Sequence, residues 1–247
     1  MTDSAAVAPA YRWARSFPPQ EVARELARLP GRASTGPTSD DAAAADPSWH
    51  RYYSEAVIAR EAPGSPEPGG PFERARRAVA EYAFSDPSIV QGHFEATSEL
   101  RGRPMVLELK VLGLHLLCGV VVRAVRDERT AGASVWGFRY DTVEGHVEAG
   151  AEWFLLTKDH VTGEVRFRIQ ASWHEGTLPN WWTRVGFSLL ARRYQRAWHR
   201  QAYARLRALV GGRDLPPLPR RRTILKAWQP EIRVPPPTAP AIRERET

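Results

Sequence analysis

From residue 88 to residue 174 the chain reads as an unbroken series of strand-like runs, separated only by short polar connections. The runs cover 88–98, 104–112, 115–126, 133–141, 147–158 and 164–174. The last shows the pattern most plainly: Val165, Phe167, Ile169, Ala171 and Trp173 alternate with Arg166, Arg168, Gln170, Ser172 and His174. A period of two places one set on a buried face and the other on a wet face. Connections such as 159–163 are too short for a crossover helix, which leaves antiparallel hairpins.

A sheet of this kind has an apolar face to hide, and the chain supplies a cover. Pro179 and Asn180 introduce a long helix that runs to about Val210 and stops at Gly211-Gly212. At 1.5 Å per residue it spans about 45 Å. Phe187, Leu190, Ala191, Tyr194, Trp198, Ala202 and Leu209 fall on one side, with Arg193, Arg196, Arg200 and Arg207 opposite. Such a helix lies on an apolar surface and turns its arginines to solvent. Upstream, 52–60 is strand-like. After a Pro/Gly-rich stretch at 62–70, Pro71 opens a helix with a stripe of Phe72, Ala75, Val79 and Tyr82. The order of elements predicts an α+β fold: a curved antiparallel sheet of about seven strands gripping the long C-terminal helix.

The chain ends differ in character. Residues 1–15 are expected to be disordered, Val22, Leu26 and Leu29 to share one face of a short helix, and 31–47 to form a flexible linker. The expected organisation is therefore an N-terminal extension at 1–47, a folded domain at 48–212 and a Pro/Arg-rich tail at 213–247. Within that tail Ile224, Leu225, Trp228, Ile232 and Val234 are too apolar for an inert segment, and docking on the domain or on a partner is expected.

The net charge of +7 is carried almost wholly by arginine. Nucleic acid is nevertheless not an expected partner, because aromatic residues are not interleaved with the basic ones as RNA binding requires. Arg220, Arg221 and Arg222 are the best candidate for a basic arm. The single cysteine, Cys118, sits in an apolar run and reads as core, which suits a reducing cytoplasm. No basic-then-apolar leader is visible at the N-terminus, and the longest apolar stretch, Val111 to Val122, falls short of the roughly 20 residues a membrane span needs. Oligomeric state is not legible.

One segment has residue types that periodicity does not explain: Gly137 to Phe154, GFRYDTVEGHVEAGAEWF. Its pattern Gly137-Phe138-x-Tyr140-x-Thr142-x-x-Gly145-His146-x-Glu148-x-Gly150-x-Glu152-x-Phe154 resembles the signature of domain-of-unknown-function family nineteen-ninety. The resemblance extends over roughly 49–210. Valine follows His146 where the family usually has proline, and Ser172-Trp173-His174-Glu175 replaces its usual arginine–proline turn. It implies a helix-grip fold of the START-like (SRPBCC) class, in which a cavity between sheet and helix takes a hydrophobic small molecule.

His146, Glu148 and Glu152 are the candidate catalytic residues, as an acid/base cluster. They also fit a structural turn in which they satisfy backbone N–H groups and arginines such as Arg139 or Arg168. His-x-Glu-x-x-x-Glu is not a zinc-ligand spacing, so no metal is expected, and no cofactor motif is present. Gly145 suits a tight turn and Gly150 a bulge. The candidate ligand-binding set is Phe138, Tyr140, His146, Glu148, Trp153, Phe167, Trp173, Tyr194 and Trp198, the aromatics also fitting a plain packed core. Three functions follow: a module that binds a hydrophobic or amphipathic small molecule, a helix-grip enzyme of cyclase or hydrolase type using His146, Glu148 and Glu152, and an interaction protein using its basic tail.

Overall fold

The chain begins with β1 (Ala10–Trp13), α1 (Pro19–Arg28), which tightens into a 3-10 turn at Leu29–Gly31, and α2 (Asp40–Ala45). β2 (His50–Arg60) and α3 (Pro71–Ala80) follow. Six strands come in succession: β3 (Val90–His93), β4 (Pro104–Val111), β5 (Leu114–Arg129), β6 (Ala133–Thr142), β7 (Glu148–Asp159) and β8 (Glu164–Glu175). α4 (Trp181–Val210) and β9 (Thr223–Leu225) complete the order. This computed structural model describes residues 10–13, 15–175, 181–212, 215–218 and 223–225, with side chains except at 41, 44, 175, 181–194 and 223–225.

All strands pair antiparallel in one sheet of order β3-β4-β5-β6-β7-β8-β2-β9. β2 to β8 are the seven strands that alternation predicts. β1 pairs with Leu114–Leu117 of β5, on the edge left open because β6 pairs only from Val120 onward. That pairing orders part of a segment expected to be disordered. Register shifts at Val57/Ala59 and Val122/Ala124 insert extra residues that bend the sheet. The bent sheet grips α4: the architecture is the α+β helix grip.

Phe154 on β7 sits at the centre of the inner face, with ring centroids 4.9 Å from Phe84, 5.2 Å from Phe138 and 6.3 Å from Trp198 of α4. On α4, Trp198, Ala202, Tyr203, Leu206 and Val210 are buried, whereas Leu209 is 46% exposed. The stripe advances from Trp198 in steps of four, which carries it past Leu209. Arg207, expected to face solvent, instead folds back onto the sheet: its Nε and Nη2 donate to the Val57 carbonyl at 3.0 and 2.7 Å. Phe187, Leu190, Ala191 and Arg193 lie outside the described side chains.

The outer face carries a second cluster of Phe17, Val22, Leu29, Val106, Leu117, Val121 and Val143. Leu29 is fully buried there, directly over Gly119, where a Cβ would come within 2.3 Å of Leu29 Cδ2. Beyond it the chain continues across β6. Thr35 N–H donates to the Thr142 carbonyl (2.8 Å), and Arg139 donates to the Pro37 carbonyl (3.1 Å) and Asp141 (2.9 Å). Residues 31–47, expected as a flexible linker, are thus a strap bonded to the sheet. β6 is buried at all ten positions because both of its faces are covered.

A buried ion pair fixes α3. Lys158 Nζ donates to Glu61 Oε2 (2.6 Å) and to the Ser65 carbonyl (3.0 Å), and both charged side chains are fully buried. Glu61 also accepts the Phe72 N–H at the start of α3. Lys158→Met leaves that carboxylate buried without its cation, and is expected to cost about 3–5 kcal/mol in urea unfolding. Leu29→Ala is expected to cost about 2–5 kcal/mol by the same measurement, as a core truncation does and a linker substitution does not.

Candidate functional site

A cavity of about 140 Å³ lies between the inner face of the sheet and α4. Its walls are mainly apolar. Leu107, Leu109 and Val111 come from β4, Val90 from the start of β3 with Ile89 just before it, and Trp198 from α4. Ala171 and Trp173 of β8 lie at its floor, with Tyr52 of β2 beside them. The alternation that buries Val165, Phe167 and Ile169 carries on to these two residues, so β8 supplies core below and cavity wall above.

Polar side chains are set among the apolar ones. The register aligns Tyr140 of β6 with Glu152 of β7 and Glu152 with Ala171 of β8, so three neighbouring side chains share a row across the sheet. Tyr140 hydroxyl donates to Glu152 Oε2 at 2.6 Å. Burial first, and the Glu152 charge second, hold the Tyr140 phenol well above its ordinary range, so it stays a donor. Glu148, four residues before Glu152 on the same face, lines the cavity as well, as does Gln195 of α4.

His146 occupies the connection between β6 and β7. Gly145 turns the chain there with a φ of 87°, and the His146 N–H donates to the Val143 carbonyl at 3.0 Å. This is the turn expected of Gly145. The imidazole reaches the cavity but is tied to the main chain, with Nδ1 2.8 Å from the Glu148 carbonyl and 3.0 Å from its N–H. Burial pushes its pKa down to about 4, against a smaller upward pull from the Glu148 carbonyl. The ring is therefore neutral at pH 7.

Gly150 is not a bulge. β7 keeps an unshifted register with β8 through it. Glycine is needed because a Cβ would meet the Ser172 carbonyl oxygen at 2.6 Å. The Thr142 hydroxyl bonds both main-chain groups of Gly150, accepting from its N–H (2.7 Å) and donating to its carbonyl (3.0 Å).

Of the residues singled out in the sequence, Tyr140, His146, Glu148, Glu152, Trp173 and Trp198 are brought together around the cavity. Phe138 and Phe167 belong to the packed core against Phe154 rather than to the cavity wall. Trp153 is on the wrong face: odd-numbered β7 residues point outward, and its indole N–H donates to Asp40 of the strap at 2.8 Å. The side chain of Tyr194 lies outside those described. Arg139 and Arg168, considered as partners for the carboxylates, are on the outer face with Asp141 and Glu55.

Sequence reasoning missed Tyr82, Tyr52 and Gln195 as cavity residues. Tyr82 was masked by periodicity, because it fits the apolar stripe of α3. The helix ends at Ala80, and Tyr82 leaves it with a φ of 55° that swings its ring over the cavity. Cys118 is buried in the core, and burial raises its thiol pKa to about 12, so it is unreactive. Among the described residues no three His, Cys, Asp or Glu side chains are grouped closely enough to hold a metal ion, and no helix is long and apolar enough to cross a membrane.

No curated protein matches the chain. Solved structures similar to it include two of equal coverage. The crystal structure of Ara h 8.0201 is 12% identical with a TM-score of 0.40, covering 66% of this chain and 97% of that one. An uncharacterised protein from Rhizobium leguminosarum is 11% identical with a TM-score of 0.32, at the same coverage. The sequence pattern described as Domain of unknown function (DUF1990) matches residues 35–205, a span that takes in both the strap and the helix grip, and the chain belongs to that family.

Proposed function

We propose that this protein binds a hydrophobic or amphipathic small molecule between the sheet and α4. The observation that carries this reading is a cavity with mainly apolar walls into which a few polar side chains are set, among them the hydrogen-bonded Tyr140–Glu152 pair and, farther along β7, Glu148. A few directed polar groups in an otherwise apolar cavity are the ordinary make-up of a small-molecule site. The apolar walls take the body of the ligand, and the polar side chains set its orientation.

An enzymatic reading has one observation in its favour, since His146, Glu148 and Glu152 all line the same cavity. The state of His146 weakens it. A ring with a pKa near 4 is a poor general base at neutral pH, and its Nδ1 is engaged by the main chain of Glu148. Binding is the better reading.

Thermal-shift and native mass-spectrometric screening with lipids, polyketides and sterol-like compounds tests it. A ligand at a hundred times its Kd is expected to stabilise the protein by about 2.7 kcal/mol. Ala171→Leu, which fills the cavity floor, is expected to abolish that shift while keeping the fold. No shift and no co-purifying mass with any compound class would overturn the reading.

The buried His146 ring also makes a pH prediction. Its pKa is lower folded (about 4) than unfolded (6.5), so the unfolded chain takes up the proton first as pH falls. Its contribution is complete above pH 6.5 and is lost as pH drops toward 4, by up to about 3 kcal/mol. Urea unfolding from pH 7 to pH 4 is expected to show this loss, and His146→Asn to flatten it.

A further inference from the structure

Tyr82 carries three costly features at once. Its backbone is left-handed, with a φ of 55°, which a bulky non-glycine residue rarely adopts. Its ring lies on Gly92 of β3, where a Cβ would come within 2.7 Å of Tyr82 Cδ1, so the neighbouring strand is cut back to admit it. Its hydroxyl is buried, in a residue only 4% exposed, and has no hydrogen-bond partner among the described residues. A buried unsatisfied donor is destabilising, and in a native structure it calls for an explanation.

The ring alone explains only part of this. Tyr82 packs edge-on against Phe84 (4.8 Å) and Phe154 (5.8 Å), and phenylalanine would make both contacts. What remains is the hydroxyl of a residue that lines the cavity, next to the Tyr140–Glu152 pair. Tyr140 has committed its proton to Glu152. The Tyr82 hydroxyl has the Tyr140 and Ser85 hydroxyls as neighbours but makes a hydrogen bond of good geometry to neither.

We propose that Tyr82 is the specificity-determining residue of the cavity, its hydroxyl donating a hydrogen bond to an uncharged oxygen, carbonyl or hydroxyl, of an otherwise apolar ligand. This rests on the reading of the cavity as a small-molecule site. The oxygen is uncharged because Glu152 is near enough for its charge, after burial, to raise the Tyr82 pKa further. A ligand carboxylate at that point would place two negative charges together in a poorly solvated space. The same influences keep Tyr82 protonated, as a donor must be.

Three naphthalene probes of matched size test the proposal by calorimetric titration: acetylnaphthalene, its hydrocarbon isostere isopropenylnaphthalene, and naphthoate. The wild-type protein is expected to bind the ketone about three- to tenfold more tightly than the hydrocarbon, the yield of one net hydrogen bond. Naphthoate is expected to bind no better than the hydrocarbon. Tyr82→Phe is expected to bring the ketone-to-hydrocarbon ratio to about one, leave hydrocarbon binding unchanged, and melt no lower than the wild type. An unchanged ratio in Tyr82→Phe, a preference for naphthoate, or a melting point lowered by the variant would each overturn the assignment. Equal wild-type binding of ketone and hydrocarbon would overturn it too, while leaving the cavity reading intact. Failure of all three probes to bind would overturn the assignment, the cavity reading being decided by the wider ligand screen.

Discussion

Phe154 is the contact through which the parts of this fold are joined. Its ring meets Phe138 of β6 and Phe167 of β8 on either side, Tyr82 and Phe84 from the turn after α3, and Trp198 from α4. Sheet, short helix and long helix all touch one side chain. Aromatic pairs at these separations prefer edge-on or offset-stacked geometry, and Phe154 stands edge-on to Tyr82 and stacked on Phe167, so each neighbour fixes the orientation of the next. Core and cavity are divided at this ring. Toward Phe167 and the C-terminal part of α4 the side chains fill the space; toward Glu152, Ala171 and Trp173 the space stays open.

The outer face obeys a different constraint. Arg139 and Asp141 are buried on β6, where an unpaired charge would be expensive. They pair with each other, and the strap supplies the remaining partners from Pro37 and Asp40. Burial raises the pKa of Asp141 despite the Arg139 guanidinium beside it. The strap therefore does more than cover apolar surface: it completes the hydrogen bonding of charges that the sheet alone would leave half-solvated.

Much of the inner face was legible in the sequence because period-two alternation reports which residues share a side. It put Glu148, Glu152 and Phe154 together, and they are together. The aromatic set was harder to sort. Alternation separates Trp153 from Phe154, but residue type groups them, and grouping by type sent Trp153 to the wrong face. The strap was missed for a related reason. Small polar residues such as Ser34, Thr35 and Asp40 look like linker, yet their hydroxyls and carboxylates are what bond to Asp141, Thr142, Arg139 and Trp153. The clue was on the other side of the contact: a strand carrying Arg139 and Asp141 between apolar neighbours needs partners from elsewhere. Tyr82 was hidden more thoroughly, since helical spacing accounts for it until the helix stops two residues earlier.

Arg207 and β9 act on the same strand from outside. A sheet that does not close into a barrel has two edges, and a long unpaired edge is a template for pairing with another chain. At one end β3 is only four residues long and offers little. At the other, β2 has eleven residues, and its outer side would be open for most of that length. β9 pairs with Arg51–Tyr53, and the Arg207 guanidinium takes the carbonyl of Val57 farther along. The helix guards one part of this edge and the segment that follows it another: a chain ending at α4 would hold every element of the cavity and still present Arg51–Tyr53 unpaired, ready to recruit a second molecule.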